Sequence, residues 1–408
     1  MFRTLIPVLL TVFLDLVGFG IVIPLLTFYA EDHGASAIQV TLLMACYSLA
    51  QFLFAPLWGA LSDRVGRRPV MLFSVAATCL CLAGFAAATE LWMLFLFRSL
   101  HGVATANIST AQAAVADVTP PEKRAMGMGL IGAAFGVGFT LGPFIGGELS
   151  VFGYSAPIWF AAALSGINFF VALFMLPETR HPGSTTRPRP LHPAAFFSVM
   201  KHPVVGLCVV LTFTITIAFG MMESTFTLFA EHARGLSAPQ VGRMFGVAGL
   251  VMIVVQGGLI GRLVKRFGEA SLIPVGVGIL AVAITLLPFA PPTVPMVTVF
   301  VIMAIGQGVA NPSLQSLISR GASADEQGFV LGTNQSLSAL ARVIGPAMGG
   351  VLYTGIAPSA PSSAAACSSG AACCCPLSRS GARWPPATTK GPSPPSCDRT
   401  QPACASWE

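Results

Sequence analysis

Gly59-Ala-Leu-Ser-Asp63-Arg64-Val-Gly66-Arg67-Arg68 closes one apolar run, and a fainter copy, Gly257-Gly-Leu-Ile-Gly261-Arg262-Leu-Val-Lys265-Arg266, closes another 198 positions later (257 less 59). A second pair has nearly the same spacing. Gly142-Pro143-Phe-Ile-Gly146-Gly147 returns as Gly345-Pro346-Ala-Met-Gly349-Gly350, 203 positions on (345 less 142). Two unrelated motifs repeating at similar offsets imply tandem halves in parallel orientation, an arrangement suited to two bundles that rock about a shared centre.

The material between the motifs is apolar. Of 408 residues, 54% are hydrophobic and 9% charged, and the mean hydropathy is +0.77, against about a quarter charged in ordinary soluble domains. A spanning helix needs about 20 mostly apolar residues. Eleven segments meet that length: roughly 5–29, 38–61, 69–89, 91–116, 126–149, 156–176, 203–230, 240–260, 271–290, 294–318 and 328–353. The expected fold is therefore all-α and polytopic, in two pseudo-symmetric bundles of six and five helices. The expected domains are 1–176, a polar linker 177–202, a second bundle 203–355, and a low-complexity tail 356–408. The first run, Leu5 to Tyr29, is too long for the apolar core of a signal peptide and lacks a small-residue cleavage site, so it reads as a membrane span.

Charge sets the expected topology. Arg3, Arg64, Arg67, Arg68, Lys123, Arg124, Arg180, Arg187, Arg189, Lys201, Arg262, Lys265, Arg266 and Arg320 fall on one side if the spans alternate, against little more than Arg234 and Arg243 on the other. The positive-inside rule then puts the N-terminus and the linker in the cytoplasm of a multi-pass cell-membrane protein. A net charge of +6 distributed in these short clusters forms no continuous basic stripe and argues against nucleic acid as a partner.

These residues resemble the major facilitator superfamily, and within it the tetracycline-resistance and multidrug efflux branch. Gly59, Asp63, Arg64, Gly66, Arg67 and Arg68 are similar to the family's signature between helices two and three. Arg98-x3-Gly102 is similar to its fourth-helix motif. Gly138-x3-Gly142-Pro143-x2-Gly146-Gly147 looks like the fifth-helix signature of antiporters, and Asp15-Leu-Val-Gly18-Phe-Gly20 looks like the first helix of the tetracycline exporters. The resemblance implies a bacterial inner-membrane exporter of small drugs driven by protons, with no cofactor and, as a rule, no partner beyond lipid. It departs in the ninth run, Ser271 to Ala290, which lacks the acidic residue of tetracycline-specific exporters.

Three charges inside the runs are candidates for the chemistry. Asp15 lies about 15 Å into the first, where a charge costs a few kcal/mol; desolvation of such an acid suits it to carry protons, and the plain alternative is a packing role. Arg98, roughly 10 Å inside the fourth, cannot shed its proton and needs a partner, for which Asp15 is a candidate; snorkelling outward is the alternative. Glu223, in the seventh, is either a binding or proton site or an interfacial charge. With Asp15 it would be the counter-ion of a lipophilic cation. Gln51, Asn107, Gln112, Asn311, Gln315 and Asn334 are polar groups at membrane depth that suit helix-to-helix hydrogen bonds.

The Asp63 motif reads as mechanical, its arginines pairing at the gate with Asp117 or with a helix N-terminus. Gly132, Gly136, Gly138, Gly142 and Gly146 put small residues on successive turns, and Pro143 adds a kink. Cys46, Cys79, Cys81 and Cys208 are scattered through apolar runs, while Cys367, Cys373, Cys374, Cys375, Cys397 and Cys404 crowd the tail. None forms a CxxC pair with zinc-site partners, so no metal is expected. The tail's Ala, Ser, Pro, Gly, Cys and Arg composition reads as an out-of-frame or truncated end in place of a twelfth helix, or as a low-complexity extension. An enzyme is not expected: no nucleophile with its base and no phosphate-cradling loop occurs. The rival readings are a metabolite symporter on the same scaffold and a non-transporting remnant.

Overall fold

The computed structural model describes residues 2–105, 108–119, 124–179, 203–292, 294–321 and 327–355. Among them no strand occurs, and the helices follow the apolar runs. They are α1 (Phe2–Asp32), α2 (Ala37–Val65), α3 (Arg67–Ala86), α4 (Leu91–Ala104), α5 (Ile108–Val118), α6 (Arg124–Leu149) and α7 (Ala156–Met175). The second half holds α8 (Pro203–His232), α9 (Ala238–Val254), α10 (Ile260–Phe267), α11 (Glu269–Leu286), α12 (Val294–Gly321) and α13 (Gln327–Gly355). Among the described residues, eight helical stretches are long and apolar enough to cross a membrane. Most of the linker and all of residues 356–408, with the six tail cysteines, lie outside the described residues, as does Asn107.

Two boundaries differ from expectation. In the fourth run α4 ends at Ala104, and just past it the Thr105 hydroxyl donates back to the His101 carbonyl at 2.9 Å. The eighth helix does not stop near 260. It continues through a π turn, Val255–Leu259, into α10, so the fainter motif copy is helical where its counterpart contains a turn. In that counterpart Gly66, at φ +115, separates α2 from α3, a conformation L side chains rarely adopt.

The helices bury one another and leave their outer faces apolar. Leu5, Val8, Val12 and Leu16 of α1 pack with Met71, Val115, Ile131 and Ala172 from four other helices. Outside, Leu80 is 72% and Phe174 83% exposed, which suits a hydrocarbon surround rather than water. The two halves meet through α6 against α9 and α2 against α13. Contact is tightest at the end holding Asp32, Leu149, His232 and Gly355, here called the distal end. There Arg243 Nε donates to Glu148 Oε1 at 2.5 Å, and His232 Nε2 lies 3.2 Å from Glu31 Oε1. At the opposite, proximal end the ion pairs among the described residues stay within one half: Arg67 with Asp63 and Asp117, and Arg320 with Glu269 at 3.2 Å. A Cβ added at Gly257, Gly258 or Gly261 would meet nothing within 4 Å among the described residues.

Candidate functional site

Four helices, α1, α4, α8 and α13, bring charge to the middle of the molecule. Arg98 of α4 is 2% exposed and its guanidinium sits over the Tyr47 ring at 4.5 Å and the Phe19 ring at 5.6 Å. Cation–π contacts of this kind are worth about 2 kcal/mol when desolvated, which offsets only part of the cost of burial. Among the described residues its Nε and Nη1 have no hydrogen-bond partner. Tyr47 is fixed in turn: its hydroxyl accepts from Thr105 Oγ1 at 2.7 Å, and the buried His101 ring packs edge-on at 5.3 Å.

Glu223 reaches this cluster from α8, in the other half. It interacts electrostatically with Arg98 and with Arg342 of α13. Arg342 also interacts with Tyr47, so one carboxylate lies within electrostatic reach of two guanidiniums from opposite halves. Asp15, partly buried on α1, accepts a hydrogen bond from Asn168 Nδ2 at 3.0 Å. Asn168 is fully buried and donates to the Thr11 carbonyl as well. Asp15 thus has a neutral amide from α7 beside it, and Arg98 has a charged neighbour, Glu223, that was not assigned to it from sequence. Arg342, Tyr47, His101 and Asn168 also escaped the sequence reading. Arg342 carried the same signal as Arg98, a lone arginine some 20 Å inside an apolar run.

The arrangement has a chemical consequence. Both guanidiniums stay charged, and in a low-dielectric interior a carboxylate between them is strongly attracted to both. Protonating Glu223 removes that attraction and frees both arginines; a bound cation would compete with them for the same carboxylate.

The Asp63 motif folds into a compact junction. Arg67, with its side chain 10% exposed, bonds Asp63 at 2.7 Å and Asp117 at 3.1 Å, and its Nη1 donates to Ser62 Oγ at 2.6 Å. Both acids belong to the first half, so this link joins α2, α3 and α5 to each other and does not bridge the halves. Glu178 completes the junction by accepting from the backbone N–H groups of Arg67 at 2.9 Å and Arg68 at 3.2 Å. A carboxylate there satisfies orphan donors at the start of α3 and complements the helix dipole.

The Gly-Pro motifs are contact surfaces, and their repetition is geometric. A Cβ on Gly142 would lie 2.6 Å from Gly20 Cα and one on Gly146 2.6 Å from the Ile21 carbonyl oxygen, both on α1; Gly138 abuts Leu16. Gly147 instead faces the other half, where its Cβ would lie 2.9 Å from Gly242 Cα. In the second copy Gly345 and Gly349 press on α8, at 2.8 Å from the Ile217 carbonyl oxygen and 3.1 Å from Ser224 Oγ, while Gly350 meets Thr41 of the first half. The first two glycines of each motif hold their own bundle and the last touches the opposite one.

The family model for the major facilitator superfamily matches residues 8–346. The chain belongs to the major facilitator superfamily. Relatives in this superfamily include the class C tetracycline resistance protein of Escherichia coli, 35% identical over 362 residues that cover 87% of this chain and 91% of the relative. Multidrug resistance protein 2 of Bacillus subtilis (strain 168) is 28% identical and covers 86% and 89% respectively. Among solved structures, the human organic anion transporter MFSD10 (TETRAN) superposes with a TM-score of 0.71 at 27% identity, covering 91% of this chain and 97% of its own. Major facilitator proteins are membrane transporters, and the multi-pass helical architecture described above fits that family.

Proposed function

We propose that this chain exports a small hydrophobic or cationic drug in exchange for protons, by alternating access. The observation that carries the reading is the Glu223 carboxylate of one half lying within electrostatic reach of Arg98 of the other half and Arg342 of its own. A proton and a cationic substrate would each displace the arginines from the same carboxylate, so their binding is mutually exclusive, which is the condition for exchange rather than co-transport. Asp15, paired with the neutral Asn168 amide, is the second proton site. Similarity to a tetracycline resistance protein and a multidrug resistance protein supports drugs as the substrate class.

In this reading the proximal end, with its arginine motif, faces the cytoplasm, and the described conformation opens inward. The six- and five-helix grouping, residence in a bacterial inner membrane with a cytoplasmic N-terminus, and a monomeric working unit belong to the same proposal. A second reading takes an anionic substrate, favoured by the orphan Nε and Nη1 of Arg98. An anion would occupy the arginines and promote protonation of Glu223, giving co-transport.

Drug-susceptibility profiling of a pump-deficient bacterial host tests the leading reading. Expression of the chain is expected to raise resistance to lipophilic cationic drugs, with Asp15→Asn and Glu223→Gln losing most of it. Unchanged susceptibility across cationic and tetracycline-type drugs, despite membrane expression, would refute export.

A further inference from the structure

The distal seam holds a second cluster of chemistry that transport does not use. Glu31 lies at the end of α1 in the first half, and Glu231 and His232 lie at the end of α8 in the second. One ligating atom from each, two carboxylate oxygens and an imidazole nitrogen, fall within 4.8 Å of one another. His232 Nε2 is 3.2 Å from Glu31 Oε1, and a Glu231 carboxylate oxygen lies within 4.8 Å of the other two ligating atoms. Two carboxylates so close repel unless a proton or a cation lies between them.

Two further observations say more than an acidic patch would. Glu231 Oε2 is shielded from solvent and, among the described residues, has no hydrogen-bond partner. That leaves a lone-pair donor in place with nothing to receive it. Access is open, because the His232 side chain is 49% exposed.

We propose that Glu31, Glu231 and His232 form a site for a divalent transition-metal ion that ties the two halves together at the distal end. One imidazole and two carboxylates, with a fourth position left to water, form a donor set that suits zinc, nickel or cobalt better than the all-oxygen cations calcium and magnesium. Metal–ligand bonds of about 2.0–2.2 Å hold neighbouring donor atoms roughly 3.3 Å apart. The His232–Glu31 separation already meets that spacing, and small side-chain rotations bring in Glu231. Because the ligands come from both halves, the bound ion favours the conformation closed at this end. The ion then acts as an inhibitor from the distal side.

Isothermal titration of the purified full chain with zinc chloride tests this directly, whatever the transported substrate. The reference is His232→Gln, which keeps every cysteine and so keeps any binding to the tail. The wild type is expected to show one saturable site that His232→Gln lacks, and Glu31→Gln is expected to weaken that site about tenfold or more, which shows that both halves contribute. Identical isotherms for the wild type and His232→Gln would overturn the site and leave a proton-sharing ion pair only. Full zinc affinity in Glu31→Gln would overturn the bridge between halves. Size-exclusion profiles identify any variant that misfolds; in that event His232→Ala, at the same half-exposed position, serves as the reference. Failure of drug export leaves this result unaffected, since the readout is binding.

Discussion

Replacing Gly147 by alanine is expected to open the distal end. The new methyl would lie 2.9 Å from Gly242 Cα, 3.0 Å from the Ala238 carbonyl oxygen and 3.3 Å from Pro239 Cα. All three obstacles are backbone or Cα atoms, so no rotamer change relieves them, and α6 and α9 must separate. Overpacking of this kind costs about 1–3 kcal/mol. The cost falls only on the state in which these helices touch, so the ratio of distal-closed to distal-open molecules drops about 5- to 150-fold. Double electron–electron resonance reads this ratio, with genetically encoded spin labels at the exposed positions Phe152 and Ala233 on opposite halves. The variant is expected to gain a longer-distance population. Gly136→Ala, whose Cβ meets nothing within 4 Å, should match the parent. Distance distributions for Gly147→Ala that coincide with the parent would refute the claim that this contact sets the closed state.

Other perturbations separate the remaining parts of the account. Arg67→Ala removes two ion pairs and the Ser62 bond, and a loss of about 1.5–3 kcal/mol should lower the thermal midpoint, whereas Lys265→Ala at the exposed equivalent position should leave it unchanged; equal midpoints would argue against a structural junction. Glu178→Ala removes the acceptor at the start of α3 and is expected to cost about 1 kcal/mol in the same assay. Arg342→Gln should weaken substrate export as strongly as Arg98→Gln if both guanidiniums share Glu223, and full activity in either would break that assignment.

The scaffold was legible because a membrane helix announces itself locally, as an unbroken apolar run flanked by charge. The repeat was legible too, since Gly142 and Gly345 stand in like contexts. What sequence could not show was contact across the chain. Glu31 and Glu231 are 200 positions apart, and nothing near either one marks it as the other's neighbour. The role of Gly147 as the glycine facing the opposite half, next to Gly146 which faces its own, depends on a helix rotation of about 100° per residue that fixes direction only once the neighbours are placed.

The central claim is that protons and a cationic drug compete for one carboxylate between the halves. Proteoliposomes holding the full chain, given a pH gradient with the membrane potential clamped at zero, test it most directly by the flux of labelled tetraphenylphosphonium. The account predicts accumulation of the cation on the acidic side, driven by the pH gradient alone, and its loss in Glu223→Gln. Flux that ignores the pH gradient, or that persists at full rate in Glu223→Gln, would contradict it.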